Sequence, residues 1–124
     1  MSDAVVLTVP ADTAYVSTVR LAAASLAARS DLTIDEVDDL RLAVDEACSL
    51  LLPHTTGGML SVRFSIDPGD ISVSVSVGAD EATELDEGGI GWALLQALTT
   101  TVDVSHRDGQ FSLTLGKRRQ AAGQ

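Results

Sequence analysis

Residues 33–52, TIDEVDDLRLAVDEACSLLL, decide the fold, because they predict one long amphipathic helix. Thr33 and Glu36 have the spacing of a capping box, in which a hydroxyl and a carboxylate accept hydrogen bonds from free backbone N–H groups at a helix start. Apolar residues then recur every three or four positions and mark the face that packs against a core: Ile34, Val37, Leu40, Val44, Cys48 and Leu51. Pro53 and then Gly57-Gly58 end the helix.

Strand patterns lie on both sides of this helix, and the clearest covers residues 71–77, where isoleucine and valines alternate strictly with serines. Asp67-Pro68-Gly69-Asp70 and Asp108-Gly109 are turn sequences that each join two strands into a hairpin. The predicted order is a strand (residues 4–9), two helices (14–29 and 34–52), a hairpin (59–66 with 71–77), a loop (78–89), a short helix (91–99) and a second hairpin (102–106 with 111–115). This order predicts an α+β fold, a two-layer α/β sandwich in which a mixed, mostly antiparallel sheet is covered on one face by helices.

The chain has 124 residues, is 45% hydrophobic and carries a net charge of −10. This length fits one domain, which we assign to residues 1–119, with residues 117–119 frayed and residues 120–124 as a disordered tail. The negative charge repels phosphate, so we expect no nucleic-acid partner and favour a basic protein surface. No apolar run approaches a membrane span and the first residues lack a signal-peptide pattern, so we expect no membrane partner and a cytoplasmic location. Cys48 lies on the core face of its helix and is expected to be buried and inert.

Two segments carry a resemblance to a known family. Residues 39–49, DLRLAVDEACS, resemble the helix that carries the N-box in the anti-sigma-factor serine kinases. Residues 88–95, GGIGWALL, resemble the second glycine box of that family, which opens a helix. The similarity extends over nearly the whole chain and implies the Bergerat fold of the GHKL, or histidine-kinase-like, ATPase superfamily.

The resemblance implies two activities. Family members bind a sigma factor and hold it away from RNA polymerase, and many also phosphorylate a serine on an anti-sigma antagonist with Mg-ATP. For the second activity, Glu46 matches the family's acidic residue, a candidate catalytic base, although it also fits a solvated position on an amphipathic helix. We favour a third interpretation, in which Glu46 is a remnant of the catalytic residue that performs no catalysis. Leu50 occupies the position of the family's Mg²⁺-coordinating asparagine, and an aliphatic side chain cannot bind that cation, so no metal ligand is expected.

The nucleotide-binding residues implied by the resemblance are only partly present. The family's adenine-binding aspartate falls on Ala79, or on Asp80 if the register slips by one residue. The glycine box comprises Gly88, Gly89 and Gly91. Their backbone N–H groups lie at a helix start and are available to bind an anion. The alternative is that these glycines only form a tight turn into the helix. The short loop at residues 80–87 is acidic and would repel a triphosphate. This loop is either a docking surface for a basic partner or a solubilising segment.

These residues favour binding over phosphoryl transfer. We expect an anti-sigma factor or related regulator that docks a sigma factor, an anti-sigma antagonist or both, with ATP binding impaired or lost and no cofactor. The alternative is an active serine kinase that uses ATP and Mg²⁺ with Glu46 as the base. A third hypothesis is a scaffold module that has lost sigma binding. Relatives in this family often pair through their sheet and helix faces, so a homodimer is a further prediction.

Overall fold

A computed structural model of the chain describes residues 3–80 and 83–120. The strands and helices in these residues are β1 (Asp3–Pro10), α1 (Val16–Ala27), α2 (Ile34–Leu51), β2 (Met59–Asp67), β3 (Asp70–Gly78), α3 (Ile90–Leu98), β4 (Thr101–Arg107) and β5 (Gln110–Arg118). Short 3₁₀ turns precede α1 and follow α2. The five strands form one sheet in the order β1-β2-β3-β5-β4, and the helices pack on one of its faces.

The predicted two-layer α+β fold is confirmed. The sheet, expected to be mixed and mostly antiparallel, is antiparallel at all four strand pairings. Two of these pairings follow from the connections, because tight hairpins join β2 to β3 and β4 to β5, and hairpins can only join antiparallel strands. Asp108 and Gly109 have φ values of 53° and 76°, the left-handed conformation of a two-residue hairpin turn.

The alternation in residues 71–77 places the two kinds of side chain on opposite faces of the sheet. The isoleucine and valines of β3 are fully buried against the helices, together with Val62 and Phe64 of β2 and Leu113 and Leu115 of β5. The serines of β3 lie on the other face, where hydroxyls of adjacent strands bond to each other: Ser74 with Thr114 at 3.1 Å, and Ser76 with Ser112 at 2.7 Å. The helix side of the sheet is therefore the core, and along the middle of β3 and β5 the other face is a layer of small polar side chains.

Helix α2 is the centre of the helical layer, since it packs on α1, α3 and the sheet. The predicted capping box is confirmed, with the Glu36 N–H donating to the Thr33 hydroxyl and the Thr33 N–H donating to the Glu36 carboxylate. Cys48 on the core face is fully buried, as predicted. Burial and the nearby charge of Asp45 raise the pKa of the Cys48 thiol to about 12, so it stays protonated and unreactive at neutral pH.

The end of the chain differs from the prediction that residues 117–119 are frayed. Strand β5 continues through Arg118, because its pairing with β3 extends to the start of that strand. The Lys117 ammonium donates to the Asp39 carboxylate at 3.2 Å and to the Leu98 carbonyl at 2.8 Å, and the Arg119 N–H donates to the Gly69 carbonyl. These bonds to three separate segments hold the strand end in place.

The predicted tail begins at Gln120, and its residues 121–124 lie outside the described residues. The Gln120 N–H donates to the second oxygen of the Glu36 carboxylate at 2.8 Å. Among residues 3–80 and 83–120, no helix has both the length and the apolar character needed to cross a membrane.

Glu36 links the start of α2 to the chain end and is nearly buried. Burial raises the pKa of its carboxyl, but hydrogen bonds donated by Thr33 and Gln120, with the charge of Lys117, outweigh that effect and hold the pKa below 4.5. The ionised carboxylate therefore contributes stability above its unfolded pKa, and that contribution is lost as the pH falls through the lower folded value.

We predict that Glu36→Gln lowers the free energy of unfolding at pH 7 by about 1–2 kcal/mol, because the amide accepts fewer hydrogen bonds than the carboxylate. The difference from the wild type should shrink as the pH falls through the lowered pKa of the folded Glu36 carboxyl, where the carboxylate of the wild type becomes protonated. Urea denaturation at a series of pH values measures both effects. Asp35→Asn, at an exposed acid of the same helical turn, is the matched control, and equal behaviour of the two variants would contradict the prediction.

Candidate functional site

The structure brings three of the predicted site residues together where α3 begins. A Cβ atom placed on Gly91 would lie 2.7 Å from the Glu46 carboxylate oxygen Oε1 and 2.9 Å from the Leu50 methyl carbon Cδ2. Glu46 and Leu50 are one turn apart on α2 and so face the same way. The first turn of α3 thus packs directly on the carboxylate and the leucine, at a distance that only glycine allows without displacing one of them.

The glycine turn before α3 is bonded to the loop that precedes it. The Gly88 N–H donates to the Asp86 carboxylate at 3.1 Å, and the Gly89 N–H donates to the Asp86 carbonyl at 3.1 Å. Gly89 is the N-cap residue of α3. A carboxylate of the chain itself therefore lies at the N–H groups that were predicted to be available to an anion, and its charge is favourable at a helix start.

The two candidate positions for an adenine-binding aspartate differ in environment. Ala79 is 5% exposed, donates its N–H to the Gly109 carbonyl and forms a bridge with Thr55 beyond the end of β3. Asp80 is exposed at the start of the loop, and its carbonyl accepts from the Thr83 N–H. The buried position thus carries a methyl group, and the carboxylate is in the solvent-facing loop. Residues 81–82 of the acidic loop lie outside the described residues.

The side chains around Gly91 do not fit a magnesium ion. Mg²⁺ requires oxygen ligands in near-octahedral geometry, and Leu50 presents methyl groups beside the Glu46 carboxylate. In the described part of the chain, no group of three or more His, Cys, Asp and Glu side chains is arranged to hold a metal. The glycine turn offers hydrogen-bond donors to a phosphate, but Asp86 already accepts from one of them.

The hydrogen bond that Asp86 accepts from the glycine turn was not predicted from the sequence. Asp86 was counted only as one charge of an acidic loop. Its position two residues before Gly88 is a recognisable signal, because an aspartate commonly accepts a hydrogen bond from the backbone N–H two residues later. The ion pair between Arg20 of α1 and Asp45 of α2, at 3.2 Å, was also not predicted, because it joins positions 25 residues apart.

Comparison with known proteins agrees with this architecture. Residues 9–117 match the family model of the histidine kinase-like ATPase domain. The chain is 29% identical to the serine-protein kinase RsbW of Bacillus subtilis, over 87% of this chain and 81% of that protein. It is 33% identical to the anti-sigma-F factor RsbW of Mycobacterium tuberculosis, over 96% of this chain and 76% of that protein.

The fold also matches a solved structure. The crystal structure of the RsbU and RsbW domains of a Mycobacterium tuberculosis protein aligns with a TM-score of 0.74 and 20% identity. The alignment covers 96% of this chain and 34% of the solved chain, so the likeness is to one part of a larger protein.

The contact at Gly91 gives a direct test of the site geometry. We predict that Gly91→Leu lowers the free energy of unfolding by about 1–3 kcal/mol, because the new side chain must displace Leu50 and Glu46. Urea denaturation measures the change. Gly88→Leu is the control, since a Cβ there meets only the Asp86 carboxylate, at an ordinary 3.5 Å. A Gly91→Leu variant as stable as the control would show that α3 is not packed on α2 as described.

Proposed function

Because this chain belongs to the histidine kinase-like ATPase domain family, we propose that it is an anti-sigma factor or a closely related regulator that acts by binding other proteins. The observation that carries the proposal is its 33% identity, over 96% of the chain, to a protein named as an anti-sigma-F factor. The partner is a sigma factor, an anti-sigma antagonist, or both in competition. A single domain over residues 1–119, a homodimer and a cytoplasmic location remain predictions from the sequence.

In this proposal the nucleotide site is weakened or lost. Three features support that part of it. Leu50 replaces an oxygen ligand for Mg²⁺, Ala79 or exposed Asp80 stands where the family binds adenine, and Asp86 accepts a hydrogen bond from the glycine turn. Without a metal ion, the charge of a triphosphate has no main counter-charge, and the nearby carboxylates oppose it further.

The docking surface of this proposal comprises α1, the outward face of α2 and the loop at residues 80–87. The outward faces of both helices expose large apolar residues, with Leu21 at 66% and Leu42 at 50%. The net charge of −10 accelerates encounter with a basic surface, and this acceleration weakens as salt screens the charges.

Titration of the purified chain against sigma factors and anti-sigma antagonists of the same source tests the proposal. We expect saturable binding to at least one of them, with an association rate that falls several-fold between low and physiological salt. Surface plasmon resonance measures both quantities. Absence of binding to every sigma factor and antagonist would overturn the proposal, and a salt-independent rate would remove the role assigned to the negative charge.

A second candidate function is an active serine kinase. It is favoured by the name of the Bacillus subtilis relative, a serine-protein kinase, and by Glu46, which is retained beside the start of α3. In this case Glu46 is the base that accepts the proton of the substrate serine, and ATP and Mg²⁺ are required.

Calorimetry with ATP, with and without Mg²⁺, separates the two functions. We expect no Mg²⁺-dependent binding at millimolar nucleotide, because Leu50 supplies no oxygen ligand. Leu50→Asn restores the side-chain chemistry and is the matched comparison. Tight binding of Mg-ATP by the wild type, with phosphate transfer to an antagonist serine, would establish the kinase in place of the impaired site.

A further inference from the structure

The outward face of α3 is apolar along its whole length. Ile90 is 88% exposed and Leu94 is 42% exposed. Ala93 and Ala97 are also exposed, and together the four residues have the i, i+3, i+4, i+7 spacing of one helix stripe. Trp92 and Leu95 of the same helix face the core. A nine-residue helix that is apolar on its inner and its outer face is unusual at a protein surface and indicates a contact surface.

Leu42 of α2 extends this stripe across the groove between the two helices. The start of α3 lies at the later part of α2, because Gly91 lies against Glu46. The end of α3 lies at the earlier part of α2, because the Lys117 ammonium bonds both the Leu98 carbonyl and the Asp39 carboxylate. The two helices therefore run antiparallel. Leu94 follows Gly91 by about one turn and Leu42 precedes Glu46 by about one turn. The two leucines therefore lie at the same level, and Leu42 is 50% exposed there.

Carboxylates border this apolar strip. Asp35, Asp38 and Glu46 lie on the same outward side of α2 as Leu42, at the spacing of successive turns. Two of the neighbouring acids have basic partners within the chain, Asp38 with Arg41 and Asp39 with Lys117. The loop that leads into α3 adds exposed Glu84, Asp86 and Glu87. The edge is thus negative overall, in a chain whose net charge is −10.

We propose that the α2–α3 strip, defined as Leu42, Ile90, Ala93, Leu94 and Ala97, binds the apolar face of a basic amphipathic helix in a partner protein. The inference rests on the proposed function and identifies the surface and the chemistry of the partner. An amphipathic helix fits because the strip runs the length of α3, with apolar contacts at the centre and charges at the edge. A second copy of this chain would bring two acidic borders together, and the charges favour a basic partner instead.

A synthetic peptide of about 18 residues, with leucines at helical i, i+3, i+4, i+7 spacing and lysines elsewhere, is a suitable probe. We expect it to bind the wild-type chain, and Leu42→Ser with Leu94→Ser to raise its Kd by at least about tenfold. The matched control is Val6→Ser, because Val6 is 57% exposed and lies on the sheet face away from the helices, outside every surface proposed for binding. Fluorescence anisotropy measures the affinities, and thermal melting confirms that the variants, altered at exposed positions, remain folded.

Four results from experiments with the peptide and the variants would overturn the inference. The first is that the peptide does not bind, and the second is that it binds the double variant and the wild type equally. The third is that a peptide with glutamates in place of the lysines binds equally well. The fourth is that sedimentation shows the wild type as a dimer and the double variant as a monomer. A sigma factor or antagonist that binds the wild type and the double variant equally would also overturn it and leave the proposed function standing. A chain that binds the peptide through the strip but binds no sigma factor or antagonist would overturn the proposed function alone.

Discussion

The burial of one face of α2 is the constraint on which the rest of the structure depends. Leu40, Ala43, Val44, Ala47 and Leu51 are fully buried, and this face meets the sheet while the flanks meet α1 and α3. The two alanines among these residues let neighbouring elements approach closely, which is the condition for a dense core in a small domain. The position of α3 then follows, because α3 packs closely on α2 only where a glycine contacts the side chains of α2.

Much of this architecture was predictable from local patterns. The capping box and the three- or four-residue spacing of apolar side chains locate α2, and the strict alternation in residues 71–77 locates a sheet strand and identifies its buried face. These signals are strong because they depend on the periodicity of a single segment. The end of β5 was not predictable in the same way. Lys117 and Gln120 are held by residues 78 and 84 positions away, and a basic segment near a chain end otherwise indicates fraying.

The candidate site shows the same division between local and distant information. The substitution of leucine for an expected metal ligand at residue 50 is visible in the sequence, as are the glycines before α3. The sequence could not predict that Gly91 touches Glu46 and Leu50, because this contact depends on how two helices separated by two strands come together. It also gave no indication that Ile90 and Leu94 face outward, since apolar residues in a short helix are ordinarily assigned to the core. Periodicity identifies the faces of a helix, and tertiary packing decides which face is buried.

The serine-rich face of the sheet differs in its chemistry from the helical side. Its hydroxyls on adjacent strands bond to one another, as Ser74 does with Thr114 and Ser76 with Ser112, and exposed Val6 and Arg63 lie on the same face towards β1. The residues of the proposed α2–α3 strip, by contrast, all lie on the helical side. Ser65 of β2 lies on the serine-rich face and is a suitable position for attaching a label. A fluorophore or an immobilisation linker placed there would leave the outward surfaces of all three helices unobstructed.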